Sequence, residues 1–168
     1  MSVLLRVLAA GLSGLIVWSA AASRVVDQAR LPLDAVVKGA TVTQGFGCTT
    51  VELEPFDPFC PSRHVHTGID LAAPAGSPIY AATAGRVRVG YDEHGCGLFV
   101  SVTVDDHVRI LYCHLLTARA VTGTMVEPGA PIGEVGSSGL STGPHLHFEI
   151  QVDGRSVDPA RWLESSGP

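Results

Sequence analysis

The sequence predicts an all-β fold built mainly of antiparallel sheet, with few or no helices apart from the N-terminal segment. Three observations carry that expectation. Short Val- and Ile-rich runs alternate apolar and polar residues, the period of a half-buried strand. Gly (19) and Pro (11) are plentiful, as a turn-rich β chain requires. The 168 residues suffice for one domain with a sizeable core and are too few for two.

The N-terminus reads differently from the rest. Met1 to Arg6 carries one positive charge, and an uncharged run, VLAAGLSGLIVWSAAA, follows over residues 7–22. Sixteen residues make roughly 24 Å of helix, short of the ~30 Å hydrocarbon core. Ala20, Ala21 and Ala22 end the run with small residues, which suits a signal-peptidase site. Residues 1–22 therefore read as an export signal, with an uncleaved N-terminal membrane anchor as the second reading. No Cys follows the run, which excludes a lipoprotein anchor. Ser23 to Val37 is weakly patterned and reads as a linker or a short lead-in helix. Strands and turns then occupy residues 38–165.

TVTQGF (41–46) is a short strand, and residues 48–65, rich in proline, are a loop. IYAA (79–82) and GRVRVGY (85–91) flank a TAG turn. In the second of these, Val87 and Val89 share one face and Arg86 and Arg88 the other. GLFVSVTV (97–104) and HVRILYCHL (107–115) flank Asp105 and Asp106 as a hairpin. APIGEVG (130–136) and LHFEIQV (146–152) are further strands, separated by the flexible turn segment GSSGLSTGP (136–144).

The four cysteines, Cys48, Cys60, Cys96 and Cys113, include no CxxC pair. In an exported domain an even set of this kind forms disulfides. Three pairings are open. Local geometry favours Cys48–Cys60, across the Pro-rich segment, and Cys96–Cys113, opposite each other if the hairpin loop spans residues 103–106. The net charge is −5 and no basic block exists, so nucleic acid is not an expected partner.

Seven histidines are present. His145 and His147, in GPHLHFEI, lie at i and i+2 of a strand and share a face, while Leu146 and Phe148 share the opposite, core-facing one. HTGID (66–70) joins an imidazole to a carboxylate, both usual zinc ligands; His64 is a rival ligand two residues away. LYCHL (111–115) ends a strand at His114, on the face opposite Cys113. Each alone is a weak signal, because a solvated face or a structural histidine explains it equally well.

Together, HTGIDLAAP, LYCHL and GLSTGPHLHFE, in this order, resemble the LytM/lysostaphin-type zinc metallopeptidases. TQGFG (43–47), AGSPIYAATAGRV (75–87), GAPIGEVGSSG (129–139) and VDPARWL (157–163) extend the likeness from about Val42 to Trp162. The resemblance implies an open, barrel- or sandwich-like sheet that floors a groove. It implies one Zn2+ on His66, Asp70 and His147, with His114 and His145 as catalytic residues. It further implies hydrolysis of peptide cross-links or stem peptides of bacterial peptidoglycan, in the cell envelope or outside it. A monomer is expected. Two imidazoles and one carboxylate leave a fourth tetrahedral position open, the pattern of a catalytic zinc. Glu149 shares the face of His145 and His147 and reads as a surface carboxylate, with orientation of a ligand as the alternative. His94 and His107 take no role. The Cys48–Cys60 loop and Cys113 depart from the simplest family pattern and bear on the groove's shape and substrate preference. The alternative function is a non-catalytic regulator of another cell-wall hydrolase on the same fold.

Overall fold

A computed structural model describes residues 29–165. A four-residue helix, α1 (Leu33–Val36), leads into β1 (Thr41–Gln44), β2 (Gly47–Thr49), β3 (His64–His66) and β4 (Ile69–Ala72). Then come β5 (Pro78–Tyr80), β6 (Gly85–Asp92), β7 (Gly97–Thr103), β8 (Val108–Cys113) and β9 (Leu115–Ala118). The chain closes with β10 (Met125–Val126), β11 (Pro131–Val135), β12 (His145–Val152), β13 (Arg155–Val157) and α2 (Pro159–Glu164). The main sheet runs β1-β4-β12-β8-β7-β6-β10, with β13 also paired to β12. A three-stranded sheet, β5-β11-β9, and the β2–β3 pair complete the fold. Among the described residues all strand pairings are antiparallel and no barrel closes, in agreement with the fold class read from the sequence.

β12 is the central element, and its alternation divides the molecule. Leu146, Phe148 and Ile150 are fully buried. They pack in one cluster with Ile110 and Tyr112 of β8, Val100 and Val102 of β7, and Ile69 and Leu71 of β4. Ile79, Leu115, Ile132 and Val135 bring the three-stranded sheet onto the same core. The other face of β12 carries His145, His147 and Glu149. β4 pairs with it so that Asp70 lies directly across from His147, and β8 sets Cys113 on the other side.

Val36 and Val37 are buried in the core, so the weakly patterned lead-in ends in the helix reading and packs on the sheet. Residues 48–65, expected as a loop, contain a short ladder: Cys48 pairs with Val65 and Thr49 with His64. The hairpin register also differs from expectation. Val100 faces Tyr112 and Thr103 faces Arg109, so the ladder does not place Cys96 opposite Cys113. Both favoured disulfides nonetheless form, with Cα–Cα distances of 5.4 Å for Cys48–Cys60 and 4.7 Å for Cys96–Cys113. α2 was not foreseen, although its start signal is present: Pro159 follows Asp158, whose carboxylate accepts from the Ala160 N–H at 3.0 Å. Among the described residues no helix is long and apolar enough to cross a membrane. The apolar segment 7–22, read as an export signal or anchor, lies outside them.

One buried hydrogen bond ties the segment after β5 to the main sheet. The Ala82 N–H donates to the Tyr112 hydroxyl at 2.8 Å, and both residues are fully buried. Tyr112→Phe leaves that N–H without its partner and is expected to cost ~1–3 kcal/mol. Urea unfolding of the two forms checks this; equal midpoints would contradict it.

Candidate metal centre

Three donor atoms meet on the floor of a groove. His66 Nε2 lies 3.1 Å from Asp70 Oδ1 and 3.0 Å from His147 Nδ1, and the last two are 3.1 Å apart. Each edge of this triangle is close to the edge of a tetrahedron with metal bonds of about 2.0–2.1 Å. His66 is fully buried, and Asp70 is buried as well. The group His66, Asp70 and His147 can hold a metal ion. The rival His64 is not part of it; its Nδ1 lies 2.7 Å from the Glu54 carbonyl.

Local structure explains the convergence. β3 and β4 are separated only by Thr67 and Gly68, so His66 and Asp70 return to one spot. A Cβ at Gly68 would lie 2.9 Å from the His147 ring, so glycine is what leaves room for that imidazole. The rings are oriented from behind. His66 Nδ1–H donates to the Gly45 carbonyl at 2.9 Å, leaving the Nε2 lone pair on the triangle. His147 turns Nδ1 inward, and its Nε2 lies 3.6 Å from Glu149.

Glu149 corrects the surface reading given to it. It is buried and accepts from Thr67 Oγ1 at 3.1 Å, Gln151 Nε2 at 2.6 Å and Ser156 Oγ at 2.7 Å. Burial alone would raise its pKa, but His147, Gln151 and Ser156 outweigh burial and lower it to about 2. The signal was available, since Glu149 shares its strand face with His147.

His145 and His114 stand beside the triangle, their ring centroids 4.8 Å apart. His145 Nδ1–H donates to the Gly143 carbonyl at 2.8 Å, and its Nε2 lies 3.7 Å from Asp70. His114 Nδ1–H donates to the Ser138 carbonyl at 2.8 Å. Strand alternation does not explain His114. Cys113 pairs with His147, so a continuing strand would aim residue 114 into the core. Instead His114 adopts φ 63°, a left-handed conformation costing roughly 1–2 kcal/mol in a non-glycine residue, and its ring comes alongside His145. The structure thus brings the five sequence-predicted residues together: Asp70, His114, His145 and His147 line one groove, and His66 lies buried behind it with Nε2 on the triangle.

The groove has a volume of about 390 Å³. Val51, Leu53, Glu54 and Pro55, inside the Cys48–Cys60 loop, line it, as do Asp92, His94, Cys96 and Leu140 to Thr142. Two of these were missed or passed over in the sequence. Glu54 lies 3.9 Å from His66 Nε2 and accepts from Gln44 at 3.1 Å, and His94 belongs to the lining although no role was given to it. His107 is remote from the groove and pairs with Asp153 at 2.6 Å.

The electrostatics follow from packing three donors together. Burial disfavours charge on His147, but Asp70 and Glu149 outweigh it and raise its pKa to about 9 in the metal-free protein. Burial would also raise Asp70, yet the hydrogen bonds to His147 and His66 hold it well below the usual carboxylate range. His114 goes the other way. Burial lowers it to about 4 against the opposing Ser138 carbonyl, so it is neutral at pH 7.

Two outcomes follow. A metal ion must displace the His147 proton, so apparent metal affinity should rise ~tenfold per unit from about pH 7 towards about pH 9. Competition titrations with a chromophoric chelator read this directly, and a flat profile over that range would contradict it. Glu149→Gln should weaken metal binding ~10–100-fold while the β-sheet circular dichroism is retained; wild-type affinity in the variant would leave Glu149 without a role at the centre.

Comparison with known proteins places this geometry in a family. Residues 64–159 match the model of peptidase family M23. The DD-carboxypeptidase/endopeptidase Mpg of Neisseria meningitidis is 40% identical over 102 residues, 61% of this chain and 24% of that protein. Lysostaphin of Staphylococcus simulans is 36% identical over 109 residues, 61% of this chain and 22% of that protein. The chain thus spans about a quarter of the length of these curated relatives. Among solved structures, the lysostaphin catalytic domain from the same organism superimposes with a TM-score of 0.62 at 29% identity, over 75% of this chain and 93% of that one. A zinc-containing peptidase from Vibrio cholerae gives a TM-score of 0.65 at 27% identity, over 83% of this chain and 41% of that one. With a family model covering more than half its length and both motif histidines of β12 in the groove, the chain belongs to peptidase family M23.

Proposed function

We propose that the protein is an exported zinc metalloendopeptidase that hydrolyses peptide cross-links or stem peptides of bacterial peptidoglycan. The observation that carries the reading is the donor triangle of His66, Asp70 and His147 with two further, carbonyl-anchored imidazoles beside it. Lysostaphin and the peptidoglycan DD-endopeptidases ShyB and ShyC of Vibrio cholerae are among the matched relatives and support the substrate class. Two disulfides among four cysteines support an oxidising compartment, hence export.

The donor set fits zinc: the imidazole nitrogens of His66 and His147 and the carboxylate oxygen of Asp70 would hold it and would leave room for a further ligand. Zinc bound there supplies Lewis-acid polarisation of a scissile carbonyl and acidifies the attacking water. The chain's own residues do the rest. His66 and Asp70 are held by β3 and β4, and His147 is held from behind by Glu149. His114 enters the reaction neutral, and a cation on the triangle lowers its proton affinity further. With Nδ1–H on the Ser138 carbonyl, it keeps an Nε2 lone pair for proton transfer. His145 has the same arrangement on the Gly143 carbonyl, 3.7 Å from the Asp70 oxygen. The pair can divide proton removal, delivery to the leaving nitrogen and oxyanion stabilisation between them. The complete donor set disfavours the alternative of a regulator without turnover.

The purified chain should hold about one zinc per molecule and cleave muropeptides in a chelator-sensitive way, read by mass spectrometry. Full zinc loading with no cleavage across a muropeptide panel would sink the proposal. Asp70→Ala and His147→Ala should lose metal and turnover together. His114→Ala should keep its zinc and lose turnover by ~10²–10⁴-fold; loss of metal in that variant would show that His114 is a ligand instead.

A further inference from the structure

His114 holds a backbone conformation that needs outside support, and the support is specific. Its N–H donates to the Cys96 carbonyl at 2.7 Å, and its ring donates to the Ser138 carbonyl at 2.8 Å. Ser138 Oγ donates to the Leu115 carbonyl at 2.8 Å and accepts from the Leu98 N–H at 2.9 Å. Leu140 N–H donates to the Gly95 carbonyl at 2.9 Å. These bonds clip three segments together: 95–98, 113–115 and 138–140. Gly97, at φ 59°, lies against the Ser138–Gly139 backbone, where a Cβ would collide.

The single covalent member of this clip is the Cys96–Cys113 disulfide, adjacent to His114. It does not reinforce the β7–β8 ladder. By that register the position beside Cys113 belongs to Phe99, three residues beyond Cys96. The bridge instead draws the turn before β7 onto the end of β8, where the chain leaves the strand. Residue 114 follows the bridge directly, with its N–H on the Cys96 carbonyl.

We propose that Cys96, Cys113 and Ser138 are positioning residues for His114. The bridge keeps the Cys96 carbonyl against the His114 N–H, and that contact together with Ser138 holds the imidazole in the groove. The proposal rests on the reading of His114 as a proton-transfer residue of a zinc endopeptidase. A bridge that only stabilises the fold would lower the melting temperature without acting through one histidine, and the two roles can be separated.

The test compares the zinc-loaded full chain with the Cys96→Ser/Cys113→Ser variant, each with and without His114→Ala, on muropeptides. Opening the bridge should lower kcat ~10–100-fold, with KM and zinc content unchanged, and should add little once His114 is Ala. Wild-type kcat in the bridge variant, or the same fold-loss in both backgrounds, would overturn the proposal. Ser138→Ala keeps both cysteines and covers the case in which the bridge variant does not fold. It should lower kcat at constant KM, and an unchanged kcat would overturn the role of the clip. Histidine 15N NMR reads positioning without any substrate. The His114 Nδ1–H signature should be present in the wild-type chain and lost in whichever folded variant breaks the clip; its persistence would overturn the proposal. Loss of that signature in a chain that cleaves no muropeptide would retain the positioning and reject the endopeptidase reading.

Discussion

Three hydrogen-bond acceptors cannot share one buried spot without a cation or protons between them. His66 Nε2, Asp70 Oδ1 and His147 Nδ1 do share one, at 3.0–3.1 Å. Most of the molecule can be read as the means of enforcing that proximity. β12 is anchored by Leu146, Phe148 and Ile150, so its histidine face cannot turn. β4 is in register with it, so Asp70 sits across from His147. The two-residue link through Thr67 and Gly68 brings His66 back over both. Without metal, the cost is met by a proton on His147, as its raised pKa shows. With metal, that proton leaves and the same packing becomes a coordination site.

The two remaining imidazoles show how a sheet can present groups that its own pleat would hide. His145 follows strand alternation and reaches the groove for no conformational cost. His114 does not, and reaches it through a left-handed backbone held by neighbouring segments. Of the two, His114 is therefore the one whose placement depends on tertiary structure. The disulfides fall near the groove too, one behind the lining by Val51, Leu53, Glu54 and Pro55 and one beside His114. In a small domain this concentrates cross-links where irregular backbone lines the groove.

How much of this was legible in the sequence depends on the range of the interaction. The period-2 pattern of LHFEIQV places His145 and His147 on one face and the core on the other, and the structure agrees. HTGID places an imidazole near a carboxylate by chain proximity alone. The meeting of those two motifs was carried by the family resemblance and not by spacing, because strand order is a non-local property. The residues misread are those decided by partners distant in sequence. Glu149 looks like a surface carboxylate until Thr67 and Ser156 close over it. His114 looks like a strand end until Ser138 and Cys96 turn it. Residues 48–65 look like a loop because prolines mask the short β2–β3 ladder. The hairpin register slipped by three residues, since Asp105 to His107 form the turn, while the pairing of the cysteines was still recovered from their proximity.

Zinc K-edge X-ray absorption on the zinc-loaded chain decides whether His66, Asp70 and His147 are the ligands, because it counts and identifies them in solution. Low-coordinate zinc bound only by nitrogen and oxygen at about 2.0–2.1 Å is expected, with multiple scattering from two imidazoles. His147→Ala should lose one of the two imidazoles or the zinc itself. Three or four imidazoles in the wild-type spectrum, or sulfur at about 2.3 Å, would contradict that assignment, for the centre would then be closed by His114, His145 or an opened disulfide and not by His66, Asp70 and His147.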